Sequence, residues 1–227
     1  VDSEILDPKR RKTVAEVLSI DTSGSMASCH CASEGLSSNP NAPQGGVNKT
    51  DISRAAAERA IQALTANDEI GVLAWNSGAT WVLDLQQLPD DATIDESLSR
   101  LRPNGNTNIK ASLTEAAEAL LASDAELKHI IMFSDGFTDQ ALIAETAEEA
   151  GRLHDEFGIT VSVLATGEGA APSLEQIAVE GNGRFYPGTD LAAIPQIMAE
   201  EAVIASRDFI NEGDFLPEVT SNDPVVA

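Results

Sequence analysis

Positively charged residues are scarce in this chain of 227 residues. It contains 14 Lys and Arg against 37 Asp and Glu, which gives a formal net charge of -23 at pH 7. Such a charge repels nucleic acid and anionic lipid, so the composition argues against both as partners. Divalent cations and basic surfaces would be attracted instead. Only five of the cationic residues are Lys, and the composition also agrees with the solvated acidic surface of a protein from a salt-loving organism.

Cysteine and long apolar runs are also scarce. Cys29 and Cys31 flank His30; they exclude a framework of several disulfides, and two thiolates with one imidazole are one ligand short of a closed zinc site. We expect free thiols or a local disulfide here. No apolar run approaches the length of a membrane span, so we expect a soluble chain. The chain starts at Val1 without a signal-peptide h-region, and we interpret it as a domain of a larger protein that carries any membrane anchor elsewhere.

Apolar patterns along the chain alternate between strands and helices. Continuous apolar runs predict buried strands at Val14 to Ile20, in "HIIMFSDG" and in "ITVSVLATG". The segments "EIGVLAWN" and "ATWVLDLQ" predict an antiparallel pair, and "GRFYPG" predicts a final edge strand. Predicted helices cover residues 52–64 (capped by Thr50 or Asp51), 94–101, 109–120, 141–157, 174–179 and 191–207. This alternation predicts a doubly wound α/β fold with a mostly parallel sheet, one antiparallel edge strand and helices on both faces.

The predicted elements form a single domain over residues 1–207, and residues 208–227 are expected to be an exit segment or linker. An inserted segment, residues 27–49, follows the first strand and is rich in Ser, Asn, Pro and Gly. A stretch of this length without its own structure is uncommon inside a compact domain and is often functional. Because it follows the first strand directly, we expect the inserted segment to border any site at the end of that strand.

Two of the predicted strands end on an acid. Asp21 ends the first strand, within "SIDTSGSM", and Asp135 follows the strand "HIIMFS". In open α/β sheets, ligands bind outside the carboxyl ends of the strands, where the strand order reverses. If the two strands are neighbours at that point, their acids face each other across one crevice. The loop "NGNTN", which carries Thr107, leads to the same face.

The predicted site contains only oxygen ligands. Its members are two carboxylates and three hydroxyls: Asp21, Ser23, Ser25, Thr107 and Asp135. Hard cations prefer this set, and Mg²⁺ in particular binds proteins through one or two carboxylates. We expect Gly24 to let the chain turn so that both serines reach inward. Two carboxylates neutralise a divalent ion and the hydroxyls add no charge, so the ion could accept a further carboxylate from a partner protein.

The motifs "DTSGSM", "GNTN" and "FSDG", in this order, resemble the metal-ion-dependent adhesion site of von Willebrand factor A domains. All five positions of that motif are matched, and the order of elements agrees from about residue 14 to 207. The resemblance implies a Rossmann-like fold, bound Mg²⁺ or Mn²⁺ (with Ca²⁺ as a further candidate), and adhesion-type binding of a partner's acidic residue without catalysis. More narrowly, "NKTDISRAAA" and the segment from "NGRFYPG" onward resemble A domains of bacterial membrane proteins that also carry a glutamine-amidotransferase-like module.

Other functions compete with this interpretation. Ser23 could act as the nucleophile of a metal-dependent hydrolase, but it lacks the Gly-x-Ser-x-Gly pattern and needs a base within hydrogen-bond reach. Haloacid-dehalogenase-like phosphatases carry a second acid where Ser23 stands, and receiver domains need a lysine that "LATGEG" lacks. A further interpretation is an intracellular assembly component that recruits an ATPase or another subunit through the same metal contact. The sequence thus favours a non-enzymatic binding module.

Overall fold

A central β-sheet organises the protein. The computed structural model describes residues 12–27, 29–30, 47–136, 138–166, 173–188 and 193–205. The strands are β1 (Val14–Asp21), β2 (Cys29–His30), β3 (Val47–Asn48), β4 (Glu69–Trp75), β5 (Ala79–Gln87), β6 (Leu127–Ser134), β7 (Ile159–Thr166) and β8 (Asn182–Gly188). Six of them form the main sheet in the order β5-β4-β1-β6-β7-β8, whereas β2 and β3 form a small antiparallel pair.

Helices cover both faces of this sheet. They are α1 (Lys49–Ile61), α2 (Asp91–Ser99), α3 (Ile109–Ala122), α4 (Gln140–Phe157), α5 (Leu174–Glu180) and α6 (Ile194–Ala205). Apolar residues of α3, α4 and α5 pack in one buried cluster, and those of α1, α2 and α6 pack in a second one on the opposite face. None of the helices in the described ranges combines the length and the apolar character of a membrane span.

The sheet topology confirms the predicted fold class. β5 is antiparallel to β4 at one edge, and all other neighbours in the main sheet are parallel. β1 lies between β4 and β6, so the chain builds the sheet outward from β1 on one side and then crosses to the other. This is the reversal of strand order that the sequence analysis required for a site between β1 and β6.

Several helix starts differ from the predicted ones because polar caps precede the apolar pattern. Asn48, rather than Thr50 or Asp51, caps α1, since its side chain accepts a hydrogen bond from the Thr50 amide. Asp90 caps α2 in the same way and starts that helix at Asp91, ahead of its first buried residue. The predicted exit segment 208–227, Cys31 and most of the inserted segment lie outside the described residues, as do the side chains of Cys29 and His30.

A buried carboxyl lies in the middle of the sheet. Glu16 on β1 is fully buried, and neither of its carboxyl oxygens has a hydrogen-bond partner within the described part of the chain. Burial raises the pKa of Glu16 to about 8, and the negative charges of Glu201 and Asp68 add to this effect. The strand register places His129 of β6 beside it. Glu16 is therefore protonated at neutral pH.

The neighbouring Glu201 carboxyl, in contrast to Glu16, is stabilised in its charged form. It lies on α6, is buried, and accepts hydrogen bonds from Ser162 at 2.5 Å, from Arg184 at 3.2 Å and from the Tyr186 hydroxyl. The His129 Nε2 atom lies 3.4 Å from its Oε1 atom. Burial acts to raise the pKa of Glu201, but His129 and these hydrogen bonds lower it to about 2. The charged carboxylate thereby attaches α6 to β7 and β8.

Replacing Glu16 by Gln should change how stability depends on pH. The folded-state pKa of about 8 lies above the ordinary value of 4.5, so between these two pH values the folded chain holds a proton that the unfolded chain releases. The Glu16 contribution to stability therefore falls as pH rises through this window. We expect the Glu16→Gln variant to lose that decline, as measured by urea unfolding between pH 5 and pH 8.5. Glu96→Gln, at an exposed position, is the control; an unchanged decline in Glu16→Gln would contradict the assignment.

Candidate metal centre

Asp21 stands at the carboxyl end of β1, fully buried and oriented by two neighbours. Its Oδ1 atom accepts a hydrogen bond from the Ser23 amide at 2.8 Å, and its Oδ2 atom accepts one from the Ser134 hydroxyl at 2.7 Å. Burial raises the pKa of Asp21 from 3.8 to about 6, against the lowering effect of these hydrogen bonds, and the charge of Asp135 raises it further. A nearby cation would offset this cost of ionisation.

The two serines of the motif connect Asp21 to Asp135. The Ser23 and Ser25 hydroxyl oxygens lie 3.0 Å apart, and the Ser25 hydroxyl donates to the Oδ1 atom of Asp135 at 3.1 Å. A 3-10 helix over Gly24–Ala27 carries the chain from one serine to the next. Four of the five predicted ligands are thus brought together at the adjoining ends of β1 and β6.

The loop with the fifth predicted ligand, Thr107, is attached to the same turn. The Gly24 amide donates to the Gly105 carbonyl at 3.1 Å, and the Asn104 amide donates to the Thr22 carbonyl at 2.6 Å. Gly105 has a φ of 76°, in the left-handed region that favours glycine. Gly24 has no such φ, and a Cβ at this position would lie 3.4 Å from the Gly105 carbonyl oxygen, about van der Waals contact, so the described residues give no steric reason for a glycine there. Thr107 is half-buried, and its carbonyl accepts from the Thr138 hydroxyl at 3.2 Å.

A lysine that the sequence analysis did not select also reaches this site. Lys49 is the first residue of α1, although it is the last residue of the inserted segment as we defined it from the sequence. Its Nζ atom lies 2.8 Å from the Oδ2 atom of Asp135. The side chains of Lys49 and Asp135 are 7% and 0% exposed, so this ion pair is buried. Both oxygens of Asp135 are therefore engaged by named neighbours, Ser25 and Lys49.

The donor set fits a hard divalent cation in its chemistry. Carboxylate and hydroxyl oxygens converge, and they are the ligands that Mg²⁺ and Mn²⁺ prefer. In the part of the chain that the structure describes, no group of three or more His, Cys, Asp and Glu side chains is arranged to hold a metal. A metal site at this position would therefore draw on the predicted hydroxyls of Ser23, Ser25 and Thr107 as well as on the two carboxylates.

Sequence reasoning missed two residues that organise this site. Ser134 was visible within "FSDG", next to Asp135, and a serine that directly precedes a predicted ligand is a signal for a positioning role. Lys49 had a weaker signal, because more than twenty residues separate it from Ser25 and their spatial proximity depends on how α1 packs.

Comparisons with known proteins agree with this architecture. The model of the family described as von Willebrand factor type A domain matches residues 17–200. A von Willebrand factor type A protein from Catenulispora acidiphila superimposes with a TM-score of 0.66 and 23% identity, over 86% of this chain and 43% of that one. The PilB minor pilin from Streptococcus sanguinis superimposes with a TM-score of 0.67 and 18% identity, over 88% of this chain and 63% of the pilin. At such identities the two structures support the fold alone.

One sequence relative matches a smaller part of this chain than the two structures do. An uncharacterized protein from Synechocystis sp. is 26% identical over 132 residues, which are 57% of this chain and 31% of that protein. The chain thus spans about a third of this relative and less than half of the Catenulispora structure.

Removing the Ser134 hydroxyl should destabilise the protein through Asp21. The Ser134 oxygen donates to Asp21 and accepts from the Gly136 amide at 3.1 Å, so Ser134→Ala leaves buried polar atoms without a partner, at a cost of about 1–3 kcal/mol. Urea unfolding at neutral pH measures this cost. Ser99→Ala, at an exposed position on α2, is the matched control and should change stability by less than about 0.5 kcal/mol. Equal effects of the two substitutions would contradict a positioning role for Ser134.

Proposed function

Because this chain belongs to the von Willebrand factor type A family, we propose that it is a non-enzymatic module that binds a partner protein through a divalent cation. The proposed ligands of Mg²⁺ or Mn²⁺ are Asp21, Ser23, Ser25, Thr107 and Asp135. Domains of this family are typically protein-interaction or adhesion modules. The dependence on a metal and the capture of a partner's carboxylate are the specific parts of the proposal.

One observation carries the proposal: an unbroken series of oxygen side chains at the adjoining ends of β1 and β6. It runs from Asp21 to Ser23 through the Ser23 amide, then to Ser25 and Asp135 through the two hydroxyls. A solvated loop would not bury two acids together, since each raises the free energy of ionising the other. A buried pair of acids with hydroxyls between them supports the proposal of a cation site.

The chain's own residues would orient the ligands and limit the charge. Ser134 holds Asp21, and Lys49 holds Asp135. A bound divalent cation would supply a coordination position open to an anionic oxygen from outside. Ser25 is half-buried and Gly24 is exposed, so an acidic side chain of a partner can approach the site from this edge of the sheet.

A catalytic function has less support. His129, one of the histidines that the structure describes, hydrogen-bonds Thr160 at 2.6 Å and lies beside Glu201, near the start of β6 rather than at its site end. It is therefore not a base for Ser23. A hydrolase would require turnover that Ser23→Ala abolishes while metal binding persists.

The inserted segment is proposed to select the partner or to control access to the site. It follows the 3-10 helix at Ala27 and returns to α1 beside that helix, where the Asn48 side chain donates to the Ala27 carbonyl at 2.9 Å. Both ends of the segment are thus held next to Ser25. Deleting residues within it, with Lys49 retained, should change partner choice and leave metal affinity largely intact.

Two cellular roles remain for such a module. A surface or adhesion role is suggested by the minor pilin with the same fold, and the narrower sequence resemblance suggests a bacterial membrane protein with a glutamine-amidotransferase-like module as the parent. An intracellular role in recruiting an ATPase or another subunit uses the same site. Affinity capture with the whole chain as bait, in Mg²⁺ and in chelator, separates them by the identity of the metal-dependent partner. Asp21→Asn should abolish that capture in either case.

Metal binding itself is tested by isothermal titration. We expect Mg²⁺ and Mn²⁺ to bind chelator-stripped protein at one saturable site, and the Asp21→Asn variant to bind at least about tenfold more weakly because it loses a ligand charge but keeps the side-chain shape. Asp84→Asn, at an exposed position on β5, makes the same chemical change away from the site and should bind like the wild type. Equal affinities of wild type and Asp21→Asn would contradict the proposed ligand set.

A further inference from the structure

Hydrogen bonds of its two chain neighbours hold Lys49 more firmly at the site than a surface lysine would be held. Asn48, the residue before it, caps α1 and also donates to the Ala27 carbonyl. Thr50, the residue after it, donates its hydroxyl to the Met26 carbonyl at 3.0 Å. The start of α1 is therefore attached on both sides of Lys49 to the 3-10 helix that contains Ser25, and the ammonium group is held against Asp135.

Stability alone does not explain a lysine in this place. The first residue of a helix lies in the positive end of the helix dipole, where a cation is unfavourable. Both partners of the Lys49–Asp135 pair are buried, and the loss of hydration of a buried pair often cancels its Coulombic gain. A buried ion pair at the unfavourable end of a helix, in contact with a proposed metal ligand, indicates a role in the site.

The formal charges at the site suggest what this role is. Asp21 and Asp135 contribute two negative charges and Lys49 contributes one positive charge, so these three side chains together carry a formal charge of -1. A divalent cation would convert this to +1, whereas it would give a neutral site without the lysine. The excess positive charge disfavours a free metal ion and is neutralised when a single carboxylate binds with it.

We propose that Lys49 acts as a fixed cation of the site, which lowers the affinity for a free divalent ion and makes the ion and an acidic ligand bind together. This inference rests on the proposed metal-binding function. It assigns the coupling between metal and partner to one residue: the domain would be selective for partners that present a carboxylate, because only these complete the charge balance.

The test compares Mn²⁺ binding by wild type, Lys49→Met, Lys49→Arg and a matched control. Lys49→Met keeps most of the side-chain length without the charge, and Lys49→Arg keeps the charge. Lys110→Met is the control, because Lys110 also forms a lysine–carboxylate pair, 2.6 Å from Glu145, but is 43% exposed and lies away from the site. Each chelator-stripped protein is titrated with Mn²⁺ in chloride buffer and in acetate buffer of equal ionic strength, with acetate as the carboxylate probe.

We expect Lys49→Met to bind Mn²⁺ in chloride at least about tenfold more tightly than the wild type, because a repelling charge is removed from the site. Acetate should tighten Mn²⁺ binding by the wild type, by Lys49→Arg and by Lys110→Met. It should have a smaller effect on Lys49→Met, whose metal-bound site is already neutral. Since every protein is compared in the same two buffers, the association of acetate with free Mn²⁺ cancels.

Thermal unfolding provides a second measurement that needs no ligand-binding model. Without metal, Lys49→Met should have a lower Tm than the wild type, because Asp135 loses its cationic partner. Mn²⁺ should raise the Tm of Lys49→Met more than that of the wild type and close this gap, since the metal ion replaces the missing charge. A Lys49→Met protein that folds only with Mn²⁺ would support the proposal for the same reason.

The outcomes separate this inference from the function on which it rests. If the wild type binds Mn²⁺ and Lys49→Met binds it equally or more weakly, or stays unfolded with and without Mn²⁺, Lys49 is a structural partner of Asp135 and the inference is wrong. If neither the wild type nor Lys49→Met binds Mn²⁺ in chloride or in acetate, the proposed metal function fails first, and the inference fails with it.

Discussion

The parallel pairing of β1 with β6 is the contact on which the candidate site depends. Its register sets Ile20 opposite Phe133, so Asp21 and Ser134 come next to each other, and Asp135 follows one residue later. A shift of this register by one residue would move Asp21 away from Ser134 and would also turn buried side chains of β1 toward the wrong face. Buried apolar residues on both faces of β1 and β6 resist such a shift. The core therefore fixes the spacing of the acids.

Three buried carboxyl groups on one sheet show three ways to satisfy an acid away from water. Glu16 keeps a proton, Glu201 is surrounded by donors and a histidine, and Asp135 is paired with Lys49. The buried acids also differ in their position relative to the ends of the strands. Glu16 and Glu201 lie away from the carboxyl ends of β1 and β6, whereas Asp21 and Asp135 lie at these ends, beside the motif serines. Asp21 and Asp135, at the strand ends, are the acids that we propose as metal ligands.

The family fold and the proposed function rest on different evidence. Alternating strands and helices, a family match over residues 17–200 and two similar structures establish the fold. Function depends on the site that a particular chain builds on that fold. Here the site has a feature that the five motif positions do not include, the buried ammonium of Lys49. In the proposal, its charge couples the binding of the metal ion to the binding of a partner's carboxylate.

The main elements of the fold were predictable from local patterns. Apolar runs and helical periodicity identified the six strands of the main sheet and the six helices, because burial on two faces or on one stripe leaves a repeating trace in the sequence. Helix starts were less predictable, since a cap such as Asn48 acts through one side-chain hydrogen bond rather than through a repeating pattern.

Some residues of the candidate site were likewise visible in the sequence, and others only in the structure. The sequence by itself predicted the five oxygen ligands of the motif, and strand ends placed the two acids at one edge of the sheet. Only the tertiary structure showed that Ser134 orients Asp21 and that Lys49 is paired with Asp135. Lys49 and Asp135 are 86 residues apart in the chain, and no local pattern encodes such a contact. It follows from the packing of α1 beside the end of β6, which is decided by the whole core.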